Sequence, residues 1–208
     1  MRAEEATALL DVLKNGGSRE VSYRGKPRTL TLEPQPEAWA PVFFLLHCGA
    51  RLYEAYELKW ADVDVEARTI RLCGGSPGVA MKPLKPRTIP MFDPLVSLFS
   101  LLPRGAFDEP VFRQDGKLRE ILKRAYAVAD LPDYQVPAFR DTCGSHLVLQ
   151  GVPLEAVARL LGCLWMTAAK RYGHLVQITT EDLAKVAETV SFGCSVDAPA
   201  SEEDVSGS

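Results

Sequence analysis

Apolar residues recur at helical spacing through most of the chain. Ala6, Leu9, Leu10 and Leu13 fall on one face of a helix expected over 4–13, and Asn15-Gly16-Gly17 ends it. A second segment, about 37–48, is apolar enough to be a central helix, and Gly49 stops it. Between them, residues 18–36 alternate loosely through Val21, Tyr23, Leu30 and Leu32, a pattern open between a hairpin and an ordered loop. A short helix is expected over 53–58. Asp62-Val63-Asp64 reads as a turn leading into a strand at 69–72, and Arg87–Pro90 reads as its partner. Gly74-Gly75 and Pro77-Gly78 mark the loop between these strands, and Pro90 terminates the second. Helices are expected again at about 93–102, 117–129, 139–150, 154–162, 166–172 and 180–190. The pattern predicts an α+β fold, mostly helical, with a small antiparallel β-sheet.

Length and composition narrow the class. At 208 residues the chain can bury one good core, and 47% hydrophobic with 25% charged residues is ordinary for a soluble domain. The apolar run Val42–Leu46 is far too short to span a bilayer, and the acidic N-terminus is unlike a signal peptide. A cytoplasmic protein without a membrane partner is expected. The five cysteines are odd in number and form no CxxC pair, so neither a disulfide framework nor a zinc knuckle is indicated. Cys163, His146 and His174 suit zinc by type but lack ligand-pair spacing, so no metal is expected.

The net charge of -3 argues against a polyanion partner until its distribution is read. Asp197, Glu202, Glu203 and Asp204 crowd the last twelve residues, and setting them aside takes the charge to +1. Basic clusters remain at Lys82/Lys85/Arg87, at Lys117/Arg119/Lys123/Arg124 and at Lys170/Arg171. The second is open between tracking a DNA backbone and forming a solvated helix face. The stretch after Phe192 is small, polar and acidic and reads as a disordered tail.

The segment 139–175 joins a fixed cation, Arg140, to a phenol, Tyr172, on one helical unit. That pairing suits attack on a phosphate. Taken alone, Tyr172 would be a core tyrosine, Arg51 a helix-end surface arginine and Lys82 a solvated loop lysine with Lys85 as competitor for its role. Glu54 reads as structural, orienting a nearby arginine, and His146 as an interior histidine.

Four frames, in order, bind these residues together. Cys48-Gly-Ala-Arg51-Leu-Tyr-Glu54-Ala-Tyr-Glu-Leu58-Lys-Trp60-Ala-Asp62-Val-Asp64 is the first. Lys82-Pro-Leu-Lys85-Pro-Arg87-Thr-Ile-Pro90 is the second, and Pro137-Ala-Phe-Arg140-Asp-Thr142-Cys-Gly-Ser-His146 the third. The fourth runs from Leu161-Gly162-Cys163 to Tyr172-Gly-His174, with nine residues from Cys163 to Tyr172. These frames resemble those of the tyrosine recombinases (phage integrase family), over roughly residues 4–190.

The resemblance implies a site-specific DNA recombinase or integrase catalytic domain over 1–192, followed by the tail at 193–208. Members of the family usually carry an N-terminal core-binding domain as well, and none is expected in this chain. DNA would be broken and rejoined through a 3′-phosphotyrosyl intermediate, without cofactor. Tyr172 would be the nucleophile, Arg51 and Arg140 the clamp on the non-bridging oxygens, and Lys82 the general acid. Cys163 and His174 would be candidate supporting residues, and Lys85, Arg87, Lys170 and Arg171 would contact DNA. Double-stranded DNA is the implied partner, with self-association on it through the segment Thr179 to Val190, which equally suits folding back on its own domain. A bacterial or phage-encoded origin follows from the same resemblance.

Two positions depart from the pattern. Pro137 and Cys163 stand where proton-handling histidines occur in the family. Losing general acid–base help costs about 10²–10⁴ in rate. Reduced activity is one expectation, and a degenerate relative that binds DNA or a recombinase partner without cutting is the alternative.

Overall fold

The first amphipathic segment folds as α1 (Ala3–Asn15), burying Leu9 and Leu13, and Gly16 at φ 75° ends it. The computed structural model describes residues 1–73, 86–114 and 116–176. Lys82, Lys85, the helix expected at 180–190, the boundary at 192 and the acidic tail lie outside the described residues.

The ambiguous alternation after α1 is a hairpin. β1 (Gly17–Tyr23) pairs antiparallel with β2 (Lys26–Leu32) from Gly17 opposite Leu32 to Tyr23 opposite Lys26. The turn residues Arg24 and Gly25 have φ of 52° and 75°, the left-handed pair that a two-residue turn in a twisted ribbon demands.

The apolar segment then forms α2 (Pro36–Cys48). Pro36 takes the first turn, where a missing N–H costs nothing. The helix buries Ala38, Val42, Phe44, Leu45 and Cys48 against α1 and later helices. Next come α3 (Leu52–Tyr56), a 3-10 turn at Trp60–Asp62, and β3 (Val63–Asp64), β4 (Thr69–Leu72) and β5 (Arg87–Pro90). These strands form an antiparallel sheet in the order β3-β4-β5. The expected turn at 62–64 is thus a turn that ends in a two-residue strand. Val63 lies opposite Ile70, and Ile70 opposite Ile89, all three buried. Opposed residues share a sheet face and alternate residues return to it. Arg87, opposite Leu72 and two before Ile89, therefore stands on the core face.

Helices complete the fold: α4 (Asp93–Leu101), α5 (Leu118–Val128), α6 (Pro137–Leu149), α7 (Leu154–Leu161) and α8 (Trp165–Tyr172), then a 3-10 turn at Gly173–Leu175. Most buried side chains belong to one cluster built on α2. A smaller cluster joins the last helices through Val148, Val157, Ala158, Leu161, Ala168 and Tyr172. Among the described residues no helix is long and apolar enough to cross a membrane.

Gly49 links this packing to the site. It caps α2 at φ 62°, in the left-handed region that side chains disfavour. A Cβ there would meet the Leu161 side chain of α7 and come within 3.3 Å of the Cys143 sulfur of α6. The end of α2 is therefore pressed against α6, which carries Arg140, and α7, which ends just before Cys163.

Candidate active site

The site is organised around one buried carboxylate. Glu54 occupies the third position of α3, and its Oε2 accepts the Arg51 backbone N–H at 2.7 Å, the helix-capping bond of that first turn. The same carboxylate accepts both arms of the Arg87 guanidinium, Nη1 on Oε1 at 2.6 Å and Nη2 on Oε2 at 3.1 Å. The Glu54 side chain is 0% exposed and that of Arg87 11%. The Arg87 Nε donates to the Leu160 carbonyl at 2.9 Å, among the carbonyls that the end of α7 leaves without helical partners. Arg87 thus ties β5, α3 and α7 to one another. A Cβ at Gly162, which ends α7, would stand 2.8 Å from the Arg87 Cδ and Nε, so the arginine passes over bare backbone. The sequence reading put Arg87 on DNA; in the structure its guanidinium is turned inward.

Arg140 lies in the first turn of α6 and reaches across to α2, where Nη1 donates to the Gly49 carbonyl at 2.6 Å. Burial, then the charges of Arg51 and Arg87, hold its pKa below the usual arginine value, with Glu54 opposing. Cys163 is also near enough to act on Arg140, so the residue after Gly162 belongs to this neighbourhood. Three guanidiniums therefore share the surroundings of one carboxylate. Arg51 Nη1 stands 3.5 Å from Glu54 Oε1, outside hydrogen-bond geometry, and is buried without an acceptor.

Tyr172 ends α8 and is 2% exposed. Its ring lies on α6 at Gly144, where a Cβ would come 2.6 Å from the Tyr172 Cζ. The hydroxyl donates to Asp141 Oδ1 at 3.1 Å, and the same oxygen accepts Arg171 Nη1 at 3.0 Å. Burial first, then the charge and hydrogen bond of Asp141, push the phenol up to about 12, while Arg140 and Arg171 oppose the rise. Asp141 follows Arg140 on α6, so the phenol rests beside the arginine neighbourhood and remains protonated.

The shift carries a pH consequence. A raised folded-state pKa stabilises the fold fully below the ordinary tyrosine value and loses that contribution as pH rises toward about 12. Asp141→Asn removes the charge, so the Tyr172 step, read in an ultraviolet phenolate titration as the difference from Tyr172→Phe, should move to lower pH. An unmoved step would mean that burial alone sets it.

His174 is exposed on the turn after Tyr172, and Lys170 and Arg171 are exposed on α8. His146 is half-buried in α6. Among the described residues no group of three or more His, Cys, Asp or Glu side chains gathers as a metal site. Asp141 and Gly144 are the contributors that sequence reasoning passed over.

Residues 1–177 match the phage integrase family. The chain belongs to that family. It is 28% identical over 135 residues to the prophage integrase IntF of Escherichia coli (strain K12), covering 61% of this chain and 28% of IntF. It is 25% identical over 193 residues to the tyrosine recombinase XerC of Staphylococcus saprophyticus, covering 88% and 58%. The matches thus span less than two thirds of either relative. In fold it is similar to the catalytic domain of bacteriophage HP1 integrase, with a TM-score of 0.62, 22% identity and 91% and 93% of the two chains covered. It is similar too to the Tn1549 transposon integrase in complex with circular intermediate DNA, at a TM-score of 0.65, 17% identity and 90% and 66% coverage. Pro137 is the first residue of α6, a position that suits proline's fixed φ.

Proposed function

We propose that this chain is the DNA-breaking and rejoining domain of a tyrosine-type site-specific recombinase. The observation that carries this reading is a surplus of positive charge around one buried carboxylate. Arg87 pairs with Glu54, Arg51 stands 3.5 Å from it, Arg140 feels the charge of both arginines, and Arg51 Nη1 is buried with no hydrogen-bond acceptor. A phosphodiester oxygen is an acceptor of the right charge for that N–H. Arg51 and Arg140 then hold the non-bridging oxygens and stabilise the charge that grows on them in the transition state.

Tyr172 is the nucleophile on this reading. Its hydroxyl gives up its proton to Asp141, which accepts its hydrogen bond at rest, and its oxygen bonds to phosphorus as the bond to the 5′-oxygen breaks, leaving a 3′-phosphotyrosyl link and a 5′-hydroxyl. Lys82 supplies the proton for the leaving oxygen. The bond energy stays in the phosphodiester, so the reverse step rejoins the strand without a nucleotide cofactor. At rest the phenol is on Asp141, and attack requires that it exchange this hydrogen bond for the phosphate.

A nicked-duplex trap tests the proposal. A pool of nicked duplexes randomised around the nick loses its short 5′-hydroxyl fragment on attack and traps the covalent adduct. The unsubstituted chain should yield an adduct that resists denaturant, and Tyr172→Phe should yield none. Binding without any adduct would overturn the cutting reading in favour of a DNA-binding relative that no longer cuts. An adduct that persists in Tyr172→Phe would overturn the nucleophile.

Double-stranded DNA is the partner on this reading. The amphipathic segment Thr179 to Val190 is assigned to contact between protomers on DNA. Gel filtration on a duplex, with and without the residues after 178, should lose the larger species on truncation. An unchanged elution would remove that assignment.

A further inference from the structure

The β1–β2 hairpin has a property the recombinase chemistry leaves unused. Of β2, only the root is packed. Leu32 is buried and Leu30 half-buried, whereas Lys26, Pro27, Arg28 and Thr29 are all exposed. A two-stranded ribbon without a covered face is marginal by itself. This one is held at its base by polar bonds to α5 and the residues after it. Arg19 donates to the Ala127 carbonyl at 3.2 Å and pairs with Asp130 at 2.6 Å, and Arg124 Nη2 donates to the Thr31 carbonyl at 3.2 Å.

The exposed half is cationic. Residues 17–32 carry Arg19, Arg24, Lys26 and Arg28 against Glu20 alone, a net of +3 in a chain whose total is -3. Lys26 and Arg28 lie opposite Tyr23 and Val21, and being two apart they share one face of the ribbon. Neither pairs with a carboxylate among the described residues. Glu20 lies opposite Thr29, on the other face. Arg24 sits in the turn, and Lys123 and Arg124 continue the basic character at the root, on exposed positions of α5. Edge lysines and prolines also deter strand-to-strand aggregation, and that role alone would account for Lys26 and Pro27. It does not account for Arg28, exposed on an anchored arm and paired with no carboxylate among the described residues.

The geometry points to the outer half of the β1–β2 ribbon, through Arg24, Lys26 and Arg28, as a contact for the phosphate backbone of duplex DNA away from the arginine cluster. A two-stranded ribbon is narrow enough to lie along or in a major groove about 12 Å wide. Contacts of this kind position the duplex and carry no sequence information. The inference rests on the recombinase reading for its choice of polyanion, and it concerns a surface which that reading does not use.

The test is the salt dependence of binding. Anisotropy of a fluorescent duplex is titrated with the full chain at several salt concentrations. The comparison is the triple variant Arg24→Gln, Lys26→Gln and Arg28→Gln. Each phosphate contact contributes about 0.9 to the slope of log K against log salt, so the triple variant should lose about 2–3 units of slope and bind at least ten-fold more weakly in low salt. Its thermal melt, and its adduct yield at saturating protein, should match the parent. Equal slopes and affinities in parent and variant, with the parent forming adduct, would overturn the ribbon contact and leave the recombinase reading standing. A parent with no salt-dependent DNA binding at all would overturn both.

Discussion

Glu54→Ala should lower the unfolding free energy by about 3–5 kcal/mol, the scale for removing one partner of a buried ion pair. The carboxylate accepts both arms of Arg87 and the backbone N–H of Arg51, and its side chain is 0% exposed. Without it, three guanidiniums face one another with no anion among the described side chains to separate them. A domain is stable by only about 5–15 kcal/mol, so the variant should sit near its unfolding threshold. Urea titration is the measurement. The midpoint should fall while the slope is kept, because the surface exposed on unfolding is little changed. Inorganic phosphate should restore part of the loss in Glu54→Ala and less in the parent, since an anion that binds only the folded form stabilises it. A midpoint within error of the parent's would mean that the arginines do not share a common electrostatic site.

Arg140→Lys should leave the fold intact and slow adduct formation by about 10²–10³, the range for losing one oriented donor to a developing oxyanion. Lysine keeps the charge but not the planar fork. It cannot both hold the Gly49 carbonyl, as Arg140 Nη1 does at 2.6 Å, and offer a second N–H in a fixed direction. The rate of adduct formation at saturating protein reads the chemical step, and anisotropy reads affinity separately. The expected pattern is a large loss in the first and a small one in the second. Equal losses in both would make Arg140 a binding residue only.

The helices were legible because their apolar residues recur at helical spacing and because Gly49 and Gly162 mark ends that require a left-handed residue. The hairpin at 17–32 was ambiguous for a physical reason. The first four residues of β2 are all exposed, so that strand shows packing only at Leu30 and Leu32. β3 is two residues long, too short for any alternation. Arg51 and Arg140 could be singled out by their frames, and Glu54 as their structural neighbour. Arg87 could have been turned inward from the sequence by parity alone, since Ile89 two residues later is a core residue. The bond between Tyr172 and Asp141 carried no such signal. It joins residues 31 apart through the packing of α8 on α6, which no local pattern encodes.

Tyr172 is a member of the smaller apolar cluster as well as the candidate nucleophile. On the proposed reading, carrying its hydroxyl from Asp141 to a phosphate would draw its ring away from Gly144 and loosen the cluster it shares with Val148, Val157 and Leu161. The reactive form on that reading is a locally opened form, whose population would be set by how firmly α8 holds to α6 and α7. Substitutions that tighten this cluster should make the protein harder to melt and slower to react, so that the two properties are traded against each other at a single ring.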